Sequence, residues 1–141
     1  MYFDTSYIAK VYCNEPESPR VRDLVRGAGA IHSSLWAFAE FHAVVHRRVR
    51  EGAFSPVDAH ALCACFSRHV EQGLWTLVPV NDALLRRASA RILAAPRDLF
   101  LRTAEAVHLM TAQEIGAPEV WTNDRHMLAA APHFGLSGRS V

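Results

Sequence analysis

Short apolar runs alternate with longer stretches of helical periodicity along this chain, and each period implies its own element. Tyr2–Asp4 reads as a short strand, closed by the helix start Asp4-Thr5-Ser6. That helix runs to about Asn14. Pro16 and Pro19 open a second one through Val25, which Gly27 and Gly29 break. Ala30–Ser33 predicts a strand, and Ser33-Ser34 caps a helix that runs to about Glu51 and is ended by Gly52. Ser55-Pro56 starts a helix to Gly73, and Trp75–Val80 is an apolar strand. Asn81-Asp82 caps a helix through Leu93, and Arg102–Glu114 forms another, stopped by Gly116 and Pro118. Val120–Thr122 is a strand, Asn123-Asp124 caps a final helix, and the tail around Leu136 adds a weak edge strand.

Strand alternating with helix predicts an α/β fold. The expected form is a three-layer α/β/α sandwich around a central parallel sheet of four to five strands, as one domain over residues 1–141. In such sheets the site lies beyond the carboxyl ends of the strands. A net charge of +1 neither points to a nucleic-acid partner nor excludes one. Lys10 is the only lysine, so the positive charge is almost all arginine. Arginine suits phosphate through its planar fork, although a GC-rich genome gives the same bias. Cys13, Cys63 and Cys65 fit neither a disulfide framework nor a zinc spacing, and Cys63 and Cys65 are expected in the core. The opening Met1-Tyr2-Phe3-Asp4 predicts no signal peptide, and no apolar run is long enough to span a bilayer. The expectation is a reduced, cytoplasmic protein without a membrane partner.

Four carboxylates stand out. Asp4 and Asp124 each follow a short apolar strand and begin a helix, so capping alone would explain either one. Both should also emerge on the carboxyl edge of the sheet. Glu40 has Trp36, Ala37, Ala43 and Val44 as its helix neighbours and no cation among them. The stripe Leu35, Phe38, His42, Val45 and Val49 is the expected core face of that helix. A lone carboxylate there is costly unless something positive meets it. Glu105 lies in an Ala, Val and Leu setting, with Arg102 three residues back as an available ion-pair partner. Oxygen-rich clusters suit hard ions such as magnesium or manganese. Four such acids in a partly buried pocket would repel one another. Some are expected to hold protons, or the pocket to recruit Arg102 or another cation, in the absence of metal. Neutralising Asp4 or Glu40 is then expected to stabilise the metal-free chain.

At these residues the sequence resembles the PIN-domain family, and within it the VapC-type toxins. The segments that carry the resemblance are Tyr2-Phe3-Asp4-Thr5-Ser6, Ser34-Leu35-Trp36-Ala37-Phe38-Ala39-Glu40, Leu101-Arg102-Thr103-Ala104-Glu105-Ala106-Val107-His108-Leu109 and Trp121-Thr122-Asn123-Asp124. The resemblance implies a sheet of about five strands and a magnesium or manganese site built by Asp4, Glu40, Glu105 and Asp124. It also implies cleavage of RNA, an antitoxin occupying the active-site groove, and a homodimer. Thr5 or Ser6 would hold a water or a phosphate, and Thr122 and Asn123 would orient Asp124. One departure is Glu105, where the family commonly has aspartate. The added methylene moves the carboxylate by about an ångström and loosens the geometry.

Other features carry less. His42 and His46 are four apart on a helix, a possible zinc pair, but no glutamate follows His42 and the metalloprotease motif is absent. His42 reads as a core histidine, and His108 resembles a family position of structural role. Arg47, Arg48 and Arg50 form a basic run that reads as a solvated face. A haloacid-type phosphatase with Asp4 as nucleophile would want a second aspartate two residues on, where Ser6 stands. A catalytically impaired PIN fold that only binds RNA or protein is the remaining alternative, kept open by Glu105.

Overall fold

The computed structural model describes residues 1–141. Five short strands form one sheet: β1 (Tyr2–Phe3), β2 (His32–Ser34), β3 (Thr76–Val78), β4 (Glu119–Trp121) and β5 (Ser137–Arg139). Their spatial order is β3-β2-β1-β4-β5, and every pairing is parallel. Seven helices connect them: α1 (Thr5–Tyr12), α2 (Ser18–Gly27), α3 (Trp36–Arg50), α4 (Pro56–Glu71), α5 (Asp82–Leu93), α6 (Thr103–Glu114) and α7 (Arg125–Ala130).

Alternation along β1 and β4 makes the layers. Tyr2 pairs with Val120 and Phe3 with Trp121, and successive side chains of a strand point to opposite faces. Tyr2 and Val120 join Leu84 of α5, Leu109 of α6 and Met127 of α7 in one core. Phe3 and, at its margin, Trp121 join Tyr7 of α1, Val21 of α2, Phe41 of α3 and Phe66 of α4 in the other. A parallel sheet is thus covered on both faces, as its β-α-β connections require. No helix is long and apolar enough to cross a membrane.

Several local expectations shift. Ser33 lies inside β2, where its hydroxyl donates to the Phe3 carbonyl at 2.8 Å. Ser34 Oγ accepts from the N–H of Trp36 at 3.1 Å, so α3 starts two residues later than its expected cap. The buried stripe of α3 is Ala37, Phe41 and Val45, while Leu35 is exposed. Val45 belongs to both the expected and the observed stripe, and spacing alone could not settle the rest, because the first half of this helix carries apolar residues on several sides. Cys63 is half-buried at the margin of a core, and Cys65 is half-buried beside His69. The weak tail strand is β5, paired with β4 at the sheet edge.

The order β3-β2-β1-β4-β5 reverses direction between β1 and β4, because the chain winds outward to β3 and then returns to the far side of β1. A crevice opens at such a reversal, outside the carboxyl ends of the two strands. Closure on the β5 side depends on a glycine. A methyl added at Gly138 would meet Leu128 of α7, with Cδ2 at 3.0 Å and the main-chain Cα and O at 3.2 Å. Backbone cannot give way as a side chain can, so Gly138→Ala is expected to destabilise the fold by about 1–3 kcal/mol. Urea denaturation measures this; an unchanged midpoint would mean that β5 does not pack closely on α7.

Candidate active site

Asp4 and Asp124 flank the crevice. The N–H of Asp4 bonds to the carbonyl of Trp121 at 3.1 Å, which fixes the end of β1 against the end of β4. Each aspartate also caps the helix that follows it. Asp4 Oδ1 accepts from the N–H of Tyr7, and Asp124 Oδ1 from the N–H groups of His126 and Met127. The remaining oxygens face a pocket of about 300 Å³ lined by Asp4, Glu40, Glu105 and Asp124 together with Thr5, Ser6, Arg102 and His108. All four acids singled out in the sequence therefore meet at one place, from the ends of two strands and the flanks of two helices.

Each acid is held by a different donor set. The Ser6 hydroxyl donates to Asp4 Oδ1 at 2.7 Å and the Thr122 hydroxyl to Oδ2 at 2.5 Å. Thr122 Oγ1 also accepts from the N–H of Asp124 at 3.0 Å, so one side chain joins both strand-end aspartates. Asn123 is exposed at the turn, and the orienting contact is that of Thr122. Glu40 Oε2 lies 2.9 Å from His108 Nε2 and accepts from the Thr5 hydroxyl. His108 Nδ1 lies 2.9 Å from the Tyr2 hydroxyl. With Nδ1 accepting that proton, Nε2–H is free to donate to Glu40. Tyr2 of β1, His108 of α6 and Glu40 of α3 thus form a hydrogen-bonded chain that links three elements. The sequence assigns His108 only a structural part; its place three residues after Glu105, on one face of α6, is the signal that joins the two.

Glu105 is nearly buried, and its extra methylene acquires a purpose. At the third position of α6 it reaches back, and Oε2 accepts from the main-chain N–H of Arg102 at 2.8 Å. This is the return half of a capping box, which glutamate or glutamine makes. Glu105 Oε1 accepts from Arg102 Nε at 2.7 Å and also from Nη2. Nη2 donates in turn to Asp124 Oδ2 at 2.8 Å. The expected recruitment of Arg102 is therefore present.

Electrostatics separate the acids. Burial pushes the Asp4 carboxyl above the ordinary 3.8, against the hydrogen bonds of Thr122 and Ser6, which lower it. Removal from water outweighs them because it penalises only the charged form. Burial also raises Glu40, but the hydrogen bond of His108, the charge it carries when protonated and the Thr5 hydroxyl bring Glu40 below 4.5. The two acids thus shift in opposite directions: burial, rather than mutual repulsion, raises Asp4, and Glu40 does not share the rise, so neutralising it is not expected to stabilise the chain as the sequence suggested.

The donor chemistry fits a hard divalent ion, since carboxylate oxygens are its preferred ligands. The arrangement does not complete such a site: no three Asp, Glu, His or Cys side chains are placed to hold one ion together. A guanidinium stands between Glu105 and Asp124.

The PIN domain family model matches residues 1–132. No curated protein matches the sequence. Among solved structures, VapC20 of Mycobacterium tuberculosis, described as a sarcin-ricin loop cleaving toxin, has a similar fold. Its TM-score is 0.72 at 15% sequence identity, over 92% of this chain and 93% of that one.

The opposed shifts give a pH test. The folded state holds the Asp4 proton more tightly than the unfolded chain, so Asp4 costs stability as pH rises from 3.8 through its raised value, and the full cost persists above it. Asp4→Asn, which keeps a capping side chain, should raise the metal-free melting temperature at pH 7. The gain should vanish as pH falls toward 4. Glu40 contributes stability above 4.5 that is lost as pH falls through its lowered value. Glu40→Gln should therefore lower the midpoint at pH 7. Melting curves from pH 4 to 8 decide the matter, and shifts of the same sign for the two variants would refute this electrostatic picture.

Proposed function

The chain belongs to the PIN-domain family, and from that premise we propose that it is a divalent-metal-dependent endoribonuclease, the toxin of a toxin–antitoxin pair. The observation that carries this reading is the meeting of Asp4, Glu40, Glu105 and Asp124 in one pocket at the sheet's reversal point. These four would hold magnesium or manganese. Such an ion, when bound, stabilises charge on a phosphodiester and acidifies water. The chain's own groups orient the acids: Ser6 and Thr122 fix Asp4, while Thr5 and His108 fix Glu40. The Thr5 and Ser6 hydroxyls at the pocket wall are the proposed contacts for a water or a phosphate oxygen.

RNA as the substrate follows from the resemblance to VapC-type toxins, and the surface supports a polyanion. A shallow groove leads from Glu40 past Ala43 to Arg47 and Arg50 on α3. Trp36 and Phe100 are exposed aromatics, 43% and 55% accessible, of the kind on which unpaired bases stack. An antitoxin would enter the same groove and block it. Assembly as a homodimer and a cytoplasmic location complete the proposal. The alternative of a nuclease-impaired binding module draws support from Glu105, whose oxygens are both engaged by Arg102.

Purified protein should cleave single-stranded RNA. EDTA should abolish the activity, and manganese or magnesium should restore it. Asp4→Asn and Glu40→Gln should each lower the rate by orders of magnitude. Cleavage that survives full chelation would overturn the mechanism; metal-dependent melting without any cleavage would favour the binding module. Arg47→Glu combined with Arg50→Glu should weaken RNA binding and flatten its salt dependence. Binding unchanged in affinity and salt slope would place the RNA elsewhere.

A further inference from the structure

We propose that Arg102 is the pocket's resident cation and that a divalent ion binds the acids by displacing it. This rests on the metal-dependent reading above and adds a competition to it. Arg102 occupies the N-cap of α6, a position that Ser, Thr, Asp and Asn prefer. A cation there also opposes the positive end of the helix dipole. Within the helix only Glu105, three residues on, favours an arginine at this place, and the side chain reaches beyond it to an acid on another element.

It reaches two acids on different elements. Nε and Nη2 both donate to Glu105 Oε1, and Nη2 also donates to Asp124 Oδ2. Asp124 Oδ1 is already committed to the start of α7, and Glu105 Oε2 to the main chain of residue 102. The oxygens that α6 and α7 have left to offer an ion are thus the two that the guanidinium fills. Its five donors in a rigid fork suit this bridging of carboxylates, as a compact ammonium would not.

The guanidinium can leave, whereas the donors on the other two acids cannot. Asp4 is held by Ser6, Tyr7 and Thr122, and Glu40 by Thr5 and His108; most of these groups are buried. The Arg102 side chain is 57% exposed. Its guanidinium carbon lies 5.8 Å from the centre of the exposed Phe100 ring, a face on which arginine can rest. Departure keeps the charge in water, and the main-chain bond to Glu105 Oε2 stays to hold the cap. The pocket is therefore half fixed and half latched. Its apparent affinity for an ion is reduced by the fraction of molecules in which the latch is closed.

The test is manganese binding without RNA, by calorimetric titration and by melting. It compares wild type with R102Q, R102K and R86Q; Arg86 pairs only with Asp82 on α5. R102Q should melt lower than wild type without metal. It should bind manganese roughly five- to tenfold more tightly, since the pair lost is charge-assisted and only partly screened. Its midpoint should rise further on saturation. R102K should fall between, and R86Q should match wild type. Manganese binding in R102Q that is equal to or weaker than in wild type overturns the competition while leaving the nuclease reading intact. If neither protein binds manganese, the latch and the metal-dependent reading fail together.

Discussion

A carboxylate withdrawn from water must be met by donors or by positive charge, and this requirement governs the whole carboxyl edge of the sheet. The parallel order brings the ends of β1 and β4 together, so two aspartates that cap separate helices become neighbours. Thr122 serves both, giving its proton to Asp4 and accepting the N–H of Asp124. The two helices that add Glu40 and Glu105 are placed by the two cores beneath them. Packing therefore creates the electrostatic problem, and polar side chains at the rim answer it.

The answers differ in kind. Around Asp4 the hydroxyls do not offset the loss of water, and the acid is biased toward its proton. Around Glu40 a histidine tied to Tyr2 tips the balance the other way. Around Glu105 and Asp124 the answer is a full positive charge carried by a flexible, exposed side chain. Pre-organised donors keep geometry for catalysis, because their cost is met during folding. That guanidinium meets two acids while standing largely in water itself. Glu105 shows the same compromise: the longer side chain serves the helix cap and the pocket at once.

Much of the fold was legible because its signals are local. The caps at Asp4, Ser55, Asn81 and Asp124 lie where a polar side chain precedes an apolar period, and all four make their helix-capping bonds. Strand limits moved by a residue or two, as at β2 and β4, because pairing rather than composition ends a strand this short. The buried side of α3 is rotated from the expected stripe for a related reason: Val45 is buried and Phe38, His42 and Val49 are half-buried as expected, but Ala37 and Phe41 take the centre and Leu35 is exposed. Apolar residues lie on several sides of its first half, and only the elements packed on Phe41 and Val45 select a face there.

The sequence by itself determined the alternation of elements, the two aspartates at helix starts and the presence of two further acids in apolar helices. Those facts depend on neighbours within a turn or two, where spacing and cap chemistry act. Only the tertiary structure decided what each acid meets. The Tyr2 hydroxyl and His108 are 106 positions apart, and Thr122 and Asp4 are 118 apart; no period along the chain records such a contact. It likewise decided that Glu40 finds a histidine while Glu105 and Asp124 share Arg102. Which donor satisfies a buried charge depends on the register of a sheet and the seat of a helix, and these come from packing the whole chain.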